Sequence, residues 1–383
     1  MKYIEDMTYR PKVFFTSNVF SSEEIGSNKK ISENFRIKIK ELWQQLEQIS
    51  ELKIFNGRFP SENQIKNEVK NFNPDIIGCH LSHTISSEIL KNSKIFAIST
   101  STAGYNHIRR TEEDDILITH TPGILHKTVA DYTIALIMAN LRNLIDLHNY
   151  VWDNQWTPDD KWDLDQSLSS VITDKILGIV GLGEIGKEIV KKLYQWGIKI
   201  LYYDIRQMIE FEKDYPLIEF KENIEDIFQE SDIVSLHIPL NEHTKNLINR
   251  DLLKLMKKEV LLINTARGGI LDLDTLIEML EHKEVQINIA FDVFPIEPVK
   301  LKTLNRLKNI KKNQPNLRMI LIPHNASADA NTRGKMTVIF LQDIINIIKS
   351  SSIEDLIDVH IIPEHKKQLT EKKWRIFNYW EKK

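Results

Sequence analysis

Apolar and polar positions alternate along the chain in two rhythms. Short β-branched or apolar runs at residues 12–16, 52–55, 75–79, 95–99 and 116–119 predict a first set of strands. Ile31, Phe35, Ile39, Leu42 and Leu46 recur at helical spacing and predict an amphipathic helix over about 31–48. Residues 124–150 carry a largely apolar stretch without Gly or Pro, after a Thr-Pro-Gly breaker at 121–123. They predict one long helix. A Trp- and Asp-rich stretch follows, and then a second series of strands at 176–180, 198–203, 233–237, 260–264, 287–291 and 319–322. Helical patterns separate them. Strands that alternate with helices predict parallel sheets covered by helices on both faces. The Lys- and Asn-rich segment 300–318 reads as a loop or a loosely held helix, and a helix is expected at about 330–349. The polar tail 350–383 ends in an aromatic cluster, Trp374, Phe377, Tyr379 and Trp380. That cluster favours docking on the body or on a partner subunit.

Composition narrows the function classes. The 51 Lys and Arg against 54 Asp and Glu leave a net charge of -3. Such a balance gives no electrostatic footprint for nucleic acid. No apolar run approaches the roughly 18 residues that span a bilayer. The first dozen residues lack the apolar core of a secretory signal. A cytoplasmic protein without a membrane partner is expected. Cys79 is the one cysteine, which excludes an internal disulfide and a Cys-based zinc site. The length suggests two domains, each with its own core.

The strongest motif is Gly181-x-Gly183-x-x-Gly186, which follows an apolar strand and opens a helix. Gly181 suits a tight turn, Gly183 lets backbone approach a pyrophosphate, and Gly186 lets helix pack on strand. The helix N-terminus supplies free N–H groups and a positive dipole end. The next strand ends at Asp204, about 20 residues on, where an acid accepts hydrogen bonds from the adenosine ribose. Its charge disfavours a 2′-phosphate, so NAD is expected over NADP, although Arg206 stands nearby.

Three later strand ends carry reactive groups: Arg267 in Asn-Thr-Ala-Arg-Gly-Gly, then Asp292 with Glu297, then His324 after Pro323. In open α/β sheets the ligand crevice lies at the carboxyl ends of strands. Arg offers a planar fork for a carboxylate or a polarised carbonyl. His donates a proton near neutral pH, and a carboxylate on its other nitrogen fixes the tautomer. This set suits the reduction of a 2-keto acid. His80, His83, His107, His120, His126 and His148 show no metal-ligand spacing with carboxylates. They read as structural, with a modest substrate role open for His80 and His83. Hydride transfer to a nicotinamide needs no metal, and none is expected.

These residues, with residues 99–108 (Ser-Thr-Ser-Thr-Ala-Gly-Tyr-Asn-His-Ile), 121–125 with Val129-Ala-Asp131, 236–240, 255–258 and 263–269, form an ordered series. In that series the chain resembles the D-isomer-specific 2-hydroxyacid dehydrogenases over about residues 12–345, the glyoxylate and hydroxypyruvate reductase branch above all. The resemblance implies two Rossmann-like domains with a cleft between them. A flavodoxin-like substrate domain would comprise 1–128 and 324–383. A doubly wound NAD-binding domain would comprise 129–323. It implies His324 as proton donor, Glu297 as its partner and Arg267 as substrate anchor. Backbone N–H groups at Ala103 and Gly104 would bind the substrate carboxylate. Gly181, Gly183, Glu184, Ile185 and Gly186 would hold the pyrophosphate and Asp204 the ribose. Ile238, Pro239 and Thr244 would line the adenine side. Thr265, Ala266, Arg267, Asp292 and His324 would face the nicotinamide half, Asp292 near the carboxamide. Leu81-Ser82 would form another substrate-facing loop. A homodimer is implied, with the helix from Ile124 contributing. Trp152, Trp156 and Trp162 fall where relatives carry an aromatic directed at a partner, and core or dimer packing is expected of them.

The chain departs from the family in places. Asn325-Ala326-Ser327 stands where the branch has Ile-Gly-Ser, which alters the loop beside His324 and leaves the substrate open. Asn325 could add a hydrogen bond to substrate or nicotinamide. The segment between Glu297 and Pro323 is long. The same scaffold serves D-lactate, phosphoglycerate and phosphite enzymes and non-catalytic NAD-sensing modules, and these remain the alternatives.

Overall fold

The computed structural model describes residues 9–159 and 163–383, so Trp162 lies outside the described residues. The chain forms two compact units, one of Met1–Leu125 with Ala328–Lys383 and one of His126–Ser327.

The first unit holds β1 (Lys12–Phe15), β2 (Glu51–Ile54), β3 (Ile76–Cys79), β4 (Ala97–Thr100) and β5 (Leu117–Thr119). They pair in parallel in the order β2-β1-β3-β4-β5, the flavodoxin-like order. β3 and β4 are buried throughout, as a parallel sheet covered on both faces requires. On one face the helices Glu33–Ile49 and Ala330–Lys349 pack together. The first buries Ile39, Leu42, Trp43, Leu46 and Ile49, a stripe of helical period. Asp329 caps the second by accepting from the Thr332 N–H at 2.7 Å.

The C-terminal tail is ordered and belongs to this unit. Trp374, Ile376 and Tyr379 are buried in its core. The Arg375 guanidinium donates to the Asp115 carboxylate at 2.8 Å and to the carbonyls of Leu90 and Ser93. Each such buried apolar side chain contributes on the order of 1.5–3 kcal/mol, which offsets the entropy of ordering the tail.

The second unit holds β6 (Ile176–Val180), β7 (Lys199–Tyr203), β8 (Ile218–Phe220), β9 (Ile233–Leu236), β10 (Leu261–Asn264), β11 (Asn288–Phe291) and β12 (Met319–Leu321). Their order is β12-β11-β10-β9-β6-β7-β8, all parallel. This is a doubly wound sheet whose strand order reverses between β6 and β9, the place where such sheets bind ligands. β8 is a short edge strand absent from the sequence reading.

Two other expectations change. The single helix over 124–150 is two, His126–Leu141 and Leu144–Trp152. The break falls at Asn143, which adopts a left-handed φ of 51°, a conformation Asn tolerates better than most residues. The segment 300–318 contains a regular helix, Leu301–Asn313, which buries Leu307 and Ile310. Trp152 and Trp156 are exposed, so core packing does not account for them. Among the described residues no helix is long and apolar enough to cross a membrane, and no cluster of His, Cys, Asp or Glu is arranged to hold a metal.

Candidate active site

The glycine turn leaves β6 at Gly181, whose φ is 98°. A Cβ there would stand 2.8 Å from the His237 carbonyl oxygen, so both conformation and space require glycine. At Gly186 a Cβ would stand 2.5 Å from the Gly181 carbonyl oxygen. Gly183 differs, because a Cβ there would meet nothing within 4 Å. It faces open space at the start of the helix Glu184–Leu193, whose first N–H groups, Glu184 and Ile185 included, lack intrahelical acceptors. An open side beside free N–H donors fits a pyrophosphate. Asp204 stands at the end of β7 and accepts from the Leu182 N–H at 2.8 Å through Oδ2. That bond ties the acid to the turn. Arg206 is exposed. Ile238 abuts Gly181, since its Cγ2 would lie 2.8 Å from a Cβ there. The Thr244 hydroxyl donates to the Pro239 carbonyl at 2.6 Å and closes the loop after β9. The turn, Asp204 and the Ile238 loop thus fit a dinucleotide.

The second cluster forms at the ends of β10, β11 and β12. After β10 the buried Asn264 side chain accepts from the Ala266 N–H at 3.0 Å and donates to the Arg267 carbonyl at 3.0 Å. It thereby folds the Thr-Ala-Arg turn. The Thr265 hydroxyl meets that of Thr133 at 2.9 Å. Arg267 donates to the Ala266 carbonyl at 2.7 Å. Burial pushes its guanidinium pKa down while the Glu297 charge opposes the shift.

Glu297 and His324 are in contact, with Glu297 Oε2 2.6 Å from His324 Nδ1. The other oxygen of Glu297 accepts from the Phe294 N–H at 2.9 Å. Burial works against this carboxylate, but the bonds from His324 and Phe294, with the Arg267 charge, hold its pKa below the ordinary value. Glu297 therefore stays an acceptor, His324 Nδ1 carries a proton, and Nε2 is the nitrogen turned away from the carboxylate.

His324 adopts a left-handed φ of 52°, an uncommon conformation for such a side chain that the surroundings must impose. Asp292 imposes it. Its carbonyl accepts from the His324 N–H at 2.8 Å. Its two carboxylate oxygens accept from the Asn325 N–H at 2.6 Å and the Ala326 N–H at 3.0 Å. Asp292 is almost wholly buried, and burial raises its carboxyl pKa against those two bonds. Sequence reasoning placed Asp292 beside the cofactor and did not see this clamp. Asn325, a departure from the family pattern, follows His324 in this clamp, and Tyr132 has its hydroxyl pKa raised by burial and by the Asp292 charge.

Ala103 and Gly104 lie in the other unit, in the loop after β4. His120 Nδ1 is 2.8 Å from the Ala103 carbonyl, and Thr102 donates to the Gly104 carbonyl at 2.7 Å. Leu81 and Ser82 follow β3. The His80 and His83 rings are in contact, tilted at 35° with centroids 3.9 Å apart, and burial pushes the His80 pKa down to about 3.

Residues 134–326 match the family model for the D-isomer specific 2-hydroxyacid dehydrogenase, NAD binding domain. A glyoxylate reductase of Thermofilum pendens is 32% identical over 307 residues, covering 79% of this chain and 86% of its own. One of Pyrococcus horikoshii is 30% identical over 357 residues, covering 92% and 97%. Among solved structures, a glyoxylate reductase from Paecilomyes thermophila superposes with a TM-score of 0.72 at 21% identity, covering 93% of this chain and 99% of that one. D-Lactate dehydrogenase from Aquifex aeolicus, complexed with NAD and lactic acid, gives 0.71 at 22% identity, covering 91% and 98%. At those identities the structures speak for the fold alone.

Proposed function

Because the chain belongs to the D-isomer specific 2-hydroxyacid dehydrogenase family, we propose that it reduces a small 2-keto acid, glyoxylate or hydroxypyruvate, with NADH. The observation that carries the reading is the 2.6 Å contact between Glu297 and His324, beside the Arg267 turn at the carboxyl ends of neighbouring strands. The bound nicotinamide supplies the hydride that adds to the keto carbon. Arg267 holds the substrate and polarises its carbonyl. His324 delivers a proton from Nε2 to the carbonyl oxygen, and Glu297 stabilises the ring through Nδ1. Ala103 and Gly104 contribute backbone N–H groups to the substrate carboxylate. Gly181, Gly183, Glu184, Ile185 and Gly186 hold the pyrophosphate, Asp204 the ribose, and Ile238, Pro239 and Thr244 the adenine side. Thr265, Ala266 and Asp292 serve the nicotinamide half, and Asp292 also clamps His324. Asp204 favours NADH over NADPH by repelling a 2′-phosphate.

The reading includes a cytoplasmic homodimer. The helix Leu144–Trp152 buries none of its residues. Leu144, Ile145, Val151, Trp152, Leu164 and Leu168 are each exposed, and large apolar side chains left in solvent are what an interface covers.

The test is consumption of NADH with glyoxylate, hydroxypyruvate, pyruvate and bulkier 2-keto acids, with NADPH in parallel. Turnover of the two small substrates with NADH is expected. Silence across the panel with NADH still bound would move the reading to an NAD-sensing module.

A further inference from the structure

The tail beyond the helix Ala330–Lys349 does more than seal the core of the first unit. Its residue Ile361 makes an antiparallel bridge to Thr119 of β5. The Ile362 N–H donates to the Ile118 carbonyl at 3.0 Å, and the His120 N–H donates to the His360 carbonyl at 3.0 Å. The tail is therefore a strap laid along β5 and the residue that follows it.

His120 is that residue, and it is buried. Burial pushes its pKa down, against the pull of the Ala103 carbonyl and Glu364 and together with the charge of His360. Its Nδ1 lies 2.8 Å from the Ala103 carbonyl oxygen. A carbonyl only accepts, so Nδ1 donates. The Tyr105 ring stands edge-on to the imidazole, with centroids 5.4 Å apart at 89°. The Tyr105 hydroxyl reaches both oxygens of Glu364, at 2.8 and 3.1 Å. Glu364 belongs to the strap. Burial and Glu364 push the Tyr105 hydroxyl up to about 12, so it remains a donor.

The consequence is geometric. The Ala103–Gly104 peptide is trans, since Glu297–Pro298 is the one cis bond among the described residues. In a trans unit C=O and N–H point in opposite directions. Holding the Ala103 carbonyl against His120 therefore aims the Gly104 N–H the opposite way. The flanking peptides are pinned too, because Thr102 donates to the Gly104 carbonyl at 2.7 Å and the Thr121 N–H to the Thr102 carbonyl at 2.9 Å.

We propose that His120, braced by Tyr105 and by Glu364 of the C-terminal strap, is a positioning residue that fixes the Ala103–Gly104 peptide and aims the Gly104 N–H at the substrate carboxylate. The proposal rests on the reading that gives this N–H to that carboxylate. His120 touches neither substrate nor cofactor in it. The strap becomes part of the recognition of the acid group, although it lies far along the chain from the loop it serves.

The test has two arms on the full-length enzyme. In the first, His120→Phe keeps a ring and removes the donor, and His120→Asn restores a donor near the same place. His120→Phe is expected to raise KM for glyoxylate about tenfold with kcat changed less than twofold, the pattern of lost ground-state binding. NADH affinity stays unchanged, His120→Asn recovers most of the loss, and Glu364→Gln raises KM a few-fold in the same direction. A merely structural defect lowers the active fraction, so it lowers kcat and leaves KM alone; that result overturns the proposal. In the second arm the parent enzyme is labelled with [15N]glycine, which gives 13 glycine amides, and titrated with oxamate in the presence of NADH. A moving Gly104 amide upholds the underlying reading. If it moves while His120→Phe leaves KM unchanged, the proposal falls and the reading stands. If the Gly104 amide does not respond, the reading itself falls and the proposal with it.

Discussion

Replacing Glu297 by Gln tests the reading at its centre with almost no change of shape. Glu297 accepts two hydrogen bonds, one from the Phe294 N–H at 2.9 Å and one from His324 Nδ1 at 2.6 Å. A glutamine has one oxygen and can satisfy one of them. If the oxygen serves Phe294, the amide NH2 faces Nδ1, and that nitrogen must then accept. The proton moves to Nε2, and the ring takes the other tautomer. If the oxygen serves His324, the Phe294 N–H meets a donor. Either way the charged partner of the ring is gone. A hydrogen bond to a charged group contributes about 1.5–3 kcal/mol, which corresponds to roughly ten- to 150-fold in rate at about 1.4 kcal/mol per decade. The assay is kcat and kcat/KM for glyoxylate with NADH, run across pH, with NADH affinity measured by fluorescence. Glu297→Gln should lose ten- to 150-fold in kcat at pH 7 and keep NADH affinity. A kcat within twofold of the parent at every pH would refute the pairing.

The remaining predictions address neighbouring parts. The bonds that hold the Glu297 pKa below its ordinary value contribute stability above the usual carboxylate range, and this is lost as pH falls through the folded value; thermal melts of Glu297→Gln should therefore show a weaker acid dependence than the parent. Asp292→Asn sets an amide NH2 against one of the two N–H groups that the carboxylate accepts, so a loss of about 1–3 kcal/mol in stability is expected in denaturant titrations, with lower kcat. Gly183→Val places a side chain in the open space beside the helix N-terminus; calorimetry should show lost NADH binding with the melting temperature held. Burial pushes the His237 pKa down to about 3, so an unfolded chain binds the extra proton first and stability falls as pH drops below about 6.5. His237→Gln should flatten that fall in melts between pH 7 and 4.

Much of the architecture was legible because parallel strands buried on both faces leave nearly continuous apolar runs. The central strands stood out for that reason, and β8 escaped because three edge residues with one buried side chain carry almost no pattern. The break at Asn143 was hidden by the apolar residues on both sides of it, though Asn takes the left-handed turn found there more readily than most residues other than glycine. The helix Leu301–Asn313 was obscured by its lysines and asparagines; its signal was the three-residue spacing of Leu304, Leu307 and Ile310. The pairing of Glu297 with His324 followed from chemistry and motif order. The clamp by Asp292 did not, because a carboxylate that accepts from N–H groups more than thirty residues later leaves no local trace. The same holds for His120, which read as one structural histidine among several. Its role depends on which way a neighbouring carbonyl points, and no sequence pattern records that.

The strap also bears on how the chain comes off the ribosome. The second unit is contiguous, so every residue of its sheet is available before synthesis ends. The first unit is assembled from two segments that flank the second, and its core is closed by Trp374, Ile376 and Tyr379 of the later one. While translation proceeds, the apolar faces of β1, β3 and β4 have no C-terminal helix or strap to cover them. The nascent N-terminal segment must therefore wait, in need of shelter, while a younger stretch of polypeptide folds ahead of it. A ribosome that stalls or terminates before Trp374 would release an intact nucleotide-binding unit tethered to an unsealed partner, a species suited to capture by chaperones and proteases rather than to turnover.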